Sequence, residues 1–188
     1  MDEKDLKVFA GFTNITSKTE LAERLFSELA GYSIFDLQAL SAFVEKDIIA
    51  LPSPYRERVR PYFLEQYFHR FGHIMAMRQQ GHFTGLGPDI KDIALFKDFC
   101  SKIAEFCPST EDLEMFGPSF GHYYFTLSAF YIFVLDEPGH PVGTPFPGGF
   151  SVKKRDDGIY CPIRDKEKDV TYSICNFCPA KQEKMPGT

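Results

Sequence analysis

The stretch of residues 136–149, DEPGHPVGTPFPGG, constrains the fold most, because it holds four prolines and four glycines. Proline lacks a backbone N–H and clashes with the preceding helical turn, and glycine favours turns. No helix can therefore continue through this stretch. It separates a part at 1–135 from a part at 136–188, and we predict that the two pack together as one structural domain.

The part before this stretch shows apolar residues at helical spacing between capping signals. Ser17 and Ser33 are predicted to begin the first two helices, each with an acidic residue three positions later. Pro54 stands in the first turn of a third helix, which we predict to reach Gln80 with a kink near Arg60. These signals indicate a helical bundle.

The chain continues with a predicted helix over residues 88–107, a short helix or turn at 110–116 and an apolar helix at 119–135. Residues 115–135 carry no charge. Their most apolar part, Tyr123–Leu135, is shorter than the roughly 20 residues that cross a membrane. We therefore expect a helix buried at the centre of the bundle and no membrane span.

The C-terminal part begins with the proline- and glycine-rich segment, which we call the Pro/Gly loop (residues 136–149). The segments FSVKKR and IYCPI then flank Asp156-Asp157-Gly158, whose turn chemistry predicts a β-hairpin. The expected fold is mainly α, a multi-helix bundle with a C-terminal Pro/Gly loop, a short β-hairpin and a zinc knuckle.

The zinc knuckle is predicted from three cysteines. Cys175 and Cys178 form a C-x-x-C pair, whose spacing lets two thiolates face one ion, and Cys161 ends the predicted hairpin. Zinc prefers four tetrahedral thiolate or imidazole ligands. We choose His140, in the Pro/Gly loop, as the fourth ligand, and Cys107 is the other candidate.

Two other states of these thiols stay open, namely ordinary or redox-active cysteines and an iron–sulfur cluster. The N-terminal sequence MDEKDLK lacks the apolar segment of a signal peptide, so we expect a cytoplasmic protein in a reducing compartment. A zinc ion with four protein ligands has no open position for a substrate. This favours a structural role for the metal over catalysis.

A candidate second metal site lies on the third helix. Glu65, His69 and His73 recur every four residues and share one helical face. Such histidines can bind a metal while the glutamate ligates or acts as a base, although partly exposed helical histidines are the simpler interpretation. His122, beside two tyrosines, is either a hydrogen-bonded core histidine or part of a buried polar site.

The Pro/Gly loop is our preferred contact surface for a protein partner, because its prolines order the backbone before binding and so lower the entropy cost. A net charge of −5 argues against a general nucleic-acid binder. The residues that we assign to the partner surface are Pro141, Gly143, Thr144, Pro145, Phe146 and Pro147.

The segments HPVGTPFPGGF, YCPIRDKEKD and CNFCPAKQ, with LPSPYRERVRPYF upstream, resemble an uncharacterised archaeal protein family. That family occurs largely in methanogens and is catalogued as a domain of unknown function, number twenty-one-fifteen. It has no established catalytic residues to transfer. The resemblance implies the cytoplasm of an anaerobic archaeon.

Two functions of different class follow from these features. The first is a metal-binding, non-enzymatic interaction or regulatory protein that docks on a larger enzyme complex of methanogenic metabolism and responds to redox state or oxygen. The second is a small metalloenzyme that uses the Glu65, His69 and His73 face. Nucleic-acid binding through the knuckle and the lysines and arginines of residues 153–168 is a weaker third option, because interleaved acidic residues cancel most of their charge.

Overall fold

The computed structural model describes residues 5–106 and 110–184. For residues 110–118 it describes the backbone but not the side chains. Within these ranges the fold is mainly helical, as predicted, with small sheets near the C-terminus. The α-helices are α1 (Lys18–Ala30), α2 (Ile34–Ala50), α3 (Tyr55–Leu64), α4 (Arg70–Gln79), α5 (Ile93–Glu105) and α6 (Thr110–Ala129).

The first two helices begin where their capping residues predicted. The Ser17 side chain accepts a hydrogen bond from the Glu20 N–H at the start of α1. Ser33 and Asp36 form a capping box at the start of α2, in which each side chain accepts from the other residue's backbone N–H. Both signals are local in sequence, which is why they could be identified without tertiary information.

The predicted third helix is two α-helices joined by a π-helical segment, Glu65–His69. Helix α3 contains Pro61, and the helical path continues through it and through the π-helical segment into α4. A π-helical turn holds one more residue than an α-helical turn, so it changes which side chains face the core. No sequence signal pointed to this segment.

Two helix boundaries differ from the sequence prediction. Helix α5 begins at Ile93, because the Asp92 side chain caps the Leu95 N–H and the preceding Ile90 N–H bonds to Thr16 O. A short helix or turn at 110–116 and a separate helix at 119–135 were predicted, but α6 runs continuously over Thr110–Ala129, and a second π-helical segment, Phe130–Val134, extends it. The second half of α6 is apolar, and its burial outweighs the weak helix propensity of the glycine and proline near residue 118.

The core is built from aromatic side chains around the second half of α6. A 3₁₀ helix, Leu6–Phe12, which the sequence prediction missed, packs against α5 through the rings of Phe9 and Phe99, 5.7 Å apart. Phe177 from the C-terminal part joins this core, with its ring 5.1 Å from Phe99. None of the helices in the described ranges combines the length and apolar character needed to cross a bilayer.

The C-terminal part carries two small sheets. Strand β1 (Pro145–Phe146) pairs antiparallel with β2 (Phe150–Ser151), and β3 (Lys153–Arg155) forms the predicted hairpin with β4 (Gly158–Cys161). Strand β5 (Lys181–Gln182) adds to β4 in parallel and places Gln182 beside Cys161. A two-residue strand has no periodicity, so β5 could not be predicted.

Candidate functional site

The three cysteines of the predicted knuckle are all buried. Cys161 and Cys178 belong to one small apolar cluster with Val152 and Ala180. Burial is the largest cause that raises the pKa of Cys175 to about 11, and the Cys178 and Cys161 thiols act in the same direction. Cys161 and Cys178 therefore lie close enough to Cys175 to affect its ionisation.

Cys161 lies at the end of β4, where the chain turns sharply after Pro162. Burial, the largest effect, raises the pKa of its thiol, whereas hydrogen bonds from the backbone of Ile163 and Arg164 lower it. Two backbone N–H groups that point at one sulfur stabilise the thiolate, which is the form that binds a metal.

The sulfurs of the C-x-x-C pair also accept hydrogen bonds. The Gly139 N–H, in the Pro/Gly loop, donates to Cys178 Sγ at 3.4 Å. A hydrogen bond from the Ser173 side chain lowers the pKa of Cys175, opposing the effect of burial. Each of the three sulfurs thus has at least one donor beside it, and the donors come from three separate segments.

His140 directly follows the glycine that contacts Cys178. Its ring lies against Phe146, with the ring centroids 5.5 Å apart. Burial lowers the pKa of His140 to about 4, and the Arg70 cation acts in the same direction. The imidazole is therefore neutral at neutral pH, as a metal ligand must be.

The four predicted zinc ligands do not form a metal site in the described part of the chain. Within residues 5–106 and 110–184, no group of three or more His, Cys, Asp or Glu side chains is placed to hold a metal ion. The zinc knuckle of Cys161, Cys175, Cys178 and His140 is therefore not confirmed and stays a prediction. Cys107, the other candidate for the fourth ligand, lies outside the described residues.

The predicted helical face holds one close pair and one separate histidine. His69 Nδ1 and Glu65 Oε2 share a hydrogen bond of 2.8 Å at the surface. His73 instead pairs with the Tyr131 hydroxyl, 2.7 Å from its Nδ1. The structure thus brings Glu65 and His69 together and gives His73 a different partner.

His122 has partners of its own within the helical core. Its Nδ1 lies 2.9 Å from the Tyr32 hydroxyl, and its Nε2 lies 3.2 Å from Glu28 Oε2. The sequence left open whether this residue is a hydrogen-bonded core histidine or part of a polar site. Both ring nitrogens have a polar partner in the core, as either interpretation requires.

A cleft of about 660 Å³ opens where both π-helical segments meet the Pro/Gly loop and the hairpin. Sequence reasoning missed it, because it depends on segments that are distant in the chain. Its walls combine tyrosines and prolines with charged side chains, among them Glu65, His69, Arg70, Glu137 and Lys154. We call it the π cleft.

Arg70 is the buried charged residue of this cleft and was not singled out from the sequence. Its guanidinium lies over the Tyr131 ring, 4.0 Å from the centroid. It donates hydrogen bonds to Pro138 O at 2.9 Å and to Gly139 O at 2.5 Å. Arg70 therefore holds the loop segment in which the Gly139 N–H donates to Cys178 Sγ and which His140 directly follows.

The predicted partner surface is partly buried. Thr144 and Pro145 are enclosed by the protein, whereas Pro147 is exposed. Gly143 has a φ of 92°, and a Cβ at this position would lie 2.7 Å from the Tyr62 hydroxyl. The loop is therefore packed onto α3 at Gly143, while Val142 and Pro147 stay exposed.

Comparison with known proteins identifies relatives of this chain. A family profile described as an uncharacterised protein conserved in archaea matches residues 17–183. A UPF0305 protein of Methanothermobacter thermautotrophicus is 28% identical over 169 residues, which cover 89% of this chain and 97% of that protein. A UPF0305 protein of Methanocaldococcus jannaschii is 26% identical over 166 residues, which cover 86% and 94%.

A shorter match is more similar in sequence. A UPF0305 protein, also of Methanothermobacter thermautotrophicus, is 50% identical over 54 residues, which cover 29% of this chain and only 35% of that protein. No solved structure matches the chain.

Proposed function

The chain belongs to a family of uncharacterised archaeal proteins with relatives in methanogens, and from this premise we propose that it is a zinc-binding, non-enzymatic interaction protein. In this proposal Cys161, Cys175, Cys178 and His140 ligate the ion. The protein docks on a larger enzyme complex and regulates it. The observation that carries the proposal is the set of three buried thiols, each with a hydrogen-bond donor at its sulfur.

Zinc binding would require these side chains to close around the ion. Uncharged thiols fit the apolar cluster without a metal, since burial raises the pKa of Cys161 and Cys175. Zinc binding would release the thiol protons to water, and the donors beside the sulfurs would then stabilise the thiolates. The bound ion would join β4, the Pro/Gly loop and the C-terminal tail.

The metal is tested by elemental analysis of protein purified under anaerobic conditions. We expect one zinc per chain in the wild type, and loss of that zinc in Cys175→Ser. Cys100→Ser is the matched control, because Cys100 is buried in the helical core and lies outside the predicted ligand set. Wild-type protein without metal, or zinc retained in Cys175→Ser, would exclude the knuckle, whereas iron with sulfide would indicate a cluster instead.

The proposed docking uses exposed positions in the Pro/Gly loop. Val142 is 45% exposed and Pro147 is exposed, whereas the prolines and Gly143 restrict the backbone between them. Oxidation of zinc thiolates releases the metal, which would free the tail and change this surface. This links the proposed regulation to oxygen.

Docking is tested by affinity purification from an anaerobic methanogen lysate. We expect wild-type protein to recover a defined enzyme complex that Val142→Glu does not recover. Exposure of the lysate to air should reduce the recovery. Equal recovery by the variant, or recovery of the tagged protein alone in both conditions, would count against docking through this loop.

A second candidate function is a small metalloenzyme, and the specific observation in its favour is the Glu65–His69 pair at the edge of the π cleft. This candidate requires a second metal per chain. We would expect His69→Ala to lose one of two metals while Cys175→Ser loses the other. A single metal that depends on Cys175 alone would remove the enzyme hypothesis.

A further inference from the structure

The π cleft contains a buried cation that has no ion pair with any carboxylate among the described residues. Arg70 is 5% exposed, and its guanidinium donates to two carbonyl oxygens and lies over one aromatic ring. Among the described residues it forms no ion pair. Glu137 and Glu65 interact with its charge only at longer range. Two carbonyl oxygens accept from its Nη1 and Nη2, which leaves further N–H groups of the guanidinium for a ligand, and carbonyls supply no net charge to offset a buried cation.

Both π-helical segments in the described part of the chain border this cleft. Glu65 and His69 belong to the first, and Tyr131 belongs to the second. π-helical turns are rare and are frequently found at functional sites. Their meeting at one cleft is therefore an independent indication that the cleft binds something.

The remaining wall residues indicate the chemistry of the ligand. Tyr62, Val142 and Ile159 supply apolar surface, and Lys154 adds a second cation. Of the carboxylates at the cleft, Glu65 is already paired with His69. The volume of about 660 Å³ suits a small molecule.

We propose that the π cleft binds a small organic acid, whose carboxylate pairs with Arg70 and whose apolar part lies between Tyr62 and Tyr131. The planar guanidinium matches a carboxylate with two parallel hydrogen bonds. Lys154 adds attraction at the hairpin side of the cleft. This site is separate from the proposed zinc ligands and does not require a metal.

The competing explanation is that Arg70 only fastens the Pro/Gly loop. Its removal would then affect folding as well as binding, so the test uses a variant that leaves Arg70 in place. Val142→Trp adds a large ring at an exposed edge of the cleft. Ile49→Trp is the matched control, because Ile49 is 60% exposed on α2 and does not line the cleft.

The experiment measures binding to the full chain by saturation-transfer NMR. The probes are benzoate, 3-phenylpropionate and hexanoate, each paired with its neutral primary amide, together with inorganic phosphate. We expect at least one acid to bind about tenfold more tightly than its amide, because the charge-assisted pair with Arg70 is lost in the amide. Val142→Trp should abolish this binding, and Ile49→Trp should leave it unchanged.

Four outcomes would overturn the proposal. These are binding of no acid, equal binding of acids and amides, acid binding that survives Val142→Trp, and binding of inorganic phosphate alone. Zinc content is measured on the same samples, so that a failure of the metal site and a failure of the cleft can be distinguished.

Discussion

The helical part of the molecule and its C-terminal part are held together in different ways. The helices share an aromatic core in which many rings contact one another, so each contact is one of a large number. The C-terminal part has strands of two to four residues and a small apolar cluster of its own. Its position depends on a few particular contacts, among them the Arg70 hydrogen bonds and the burial of Phe177.

This difference explains why the candidate sites lie where they do. The π cleft is lined by residues of both parts, and the thiols and His140 lie in the C-terminal part. Regions with few stabilising contacts open more easily than a packed core, and binding sites commonly include them. A ligand or metal at these sites would add the contacts that the short strands do not provide.

The largest expected effect is the loss of a core ring. Phe130 is fully buried, and its ring lies 5.6 Å from that of Phe83. Phe130→Ala should lower the free energy of unfolding by about 4 kcal/mol, because it leaves a cavity in a close-packed core. Phe35→Ala, at a position 77% exposed, should change it by less than about 0.5 kcal/mol. Urea denaturation measures both, and similar values would contradict the shared-core description.

A smaller and more local effect is expected when Arg70, which binds the Pro/Gly loop, is replaced. Arg70→Met removes the donors to Pro138 O and Gly139 O and should cost about 3 kcal/mol. Hydrogen exchange should rise first in the Pro/Gly loop and only later in the helices. Arg78→Met is the control on the same helix, since its half-exposed pair with Glu23 contributes at most about 1 kcal/mol. Equal exchange in loop and helices would show that the two parts unfold as one.

The smallest expected effect depends on pH. Burial favours the neutral acid, but hydrogen bonds from Lys18 and Lys91 outweigh it and hold the pKa of Asp136 below its ordinary value. The stabilisation is therefore complete above the unfolded pKa of about 4 and is lost as the pH falls through the folded pKa. Asparagine tolerates the left-handed conformation at φ 57°.

Asp136→Asn should therefore be less stable than the wild type by about 1 kcal/mol at neutral pH. The difference should vanish in acid, where the wild-type carboxyl is protonated. Urea denaturation across the pH range measures it. A difference that stays constant with pH would show that the ion pairs with Lys18 and Lys91 do not contribute.

Much of the helical part and the β-hairpin could be predicted from the sequence because their signals are local. Ser17 and Ser33 each cap a backbone N–H three residues away, and Asp156-Asp157-Gly158 turns between paired strands. The π-helical segments and the continuity of α6 could not be predicted in this way. They depend on which faces are buried against distant helices, and that preference overrides local propensity.

The candidate sites likewise combine features that the sequence predicted and features that only the tertiary structure revealed. The chain by itself determined the family, the cysteine spacing and the rigid Pro/Gly loop, because residue identity and order carry all three. Only the tertiary structure decided that Arg70 is buried over Tyr131, that His122 contacts Tyr32 and Glu28, and that a cleft opens where the two π-helical segments meet the Pro/Gly loop and the hairpin. The physical reason is that burial and charge neutralisation depend on residues tens of positions apart, which meet only when the helices pack.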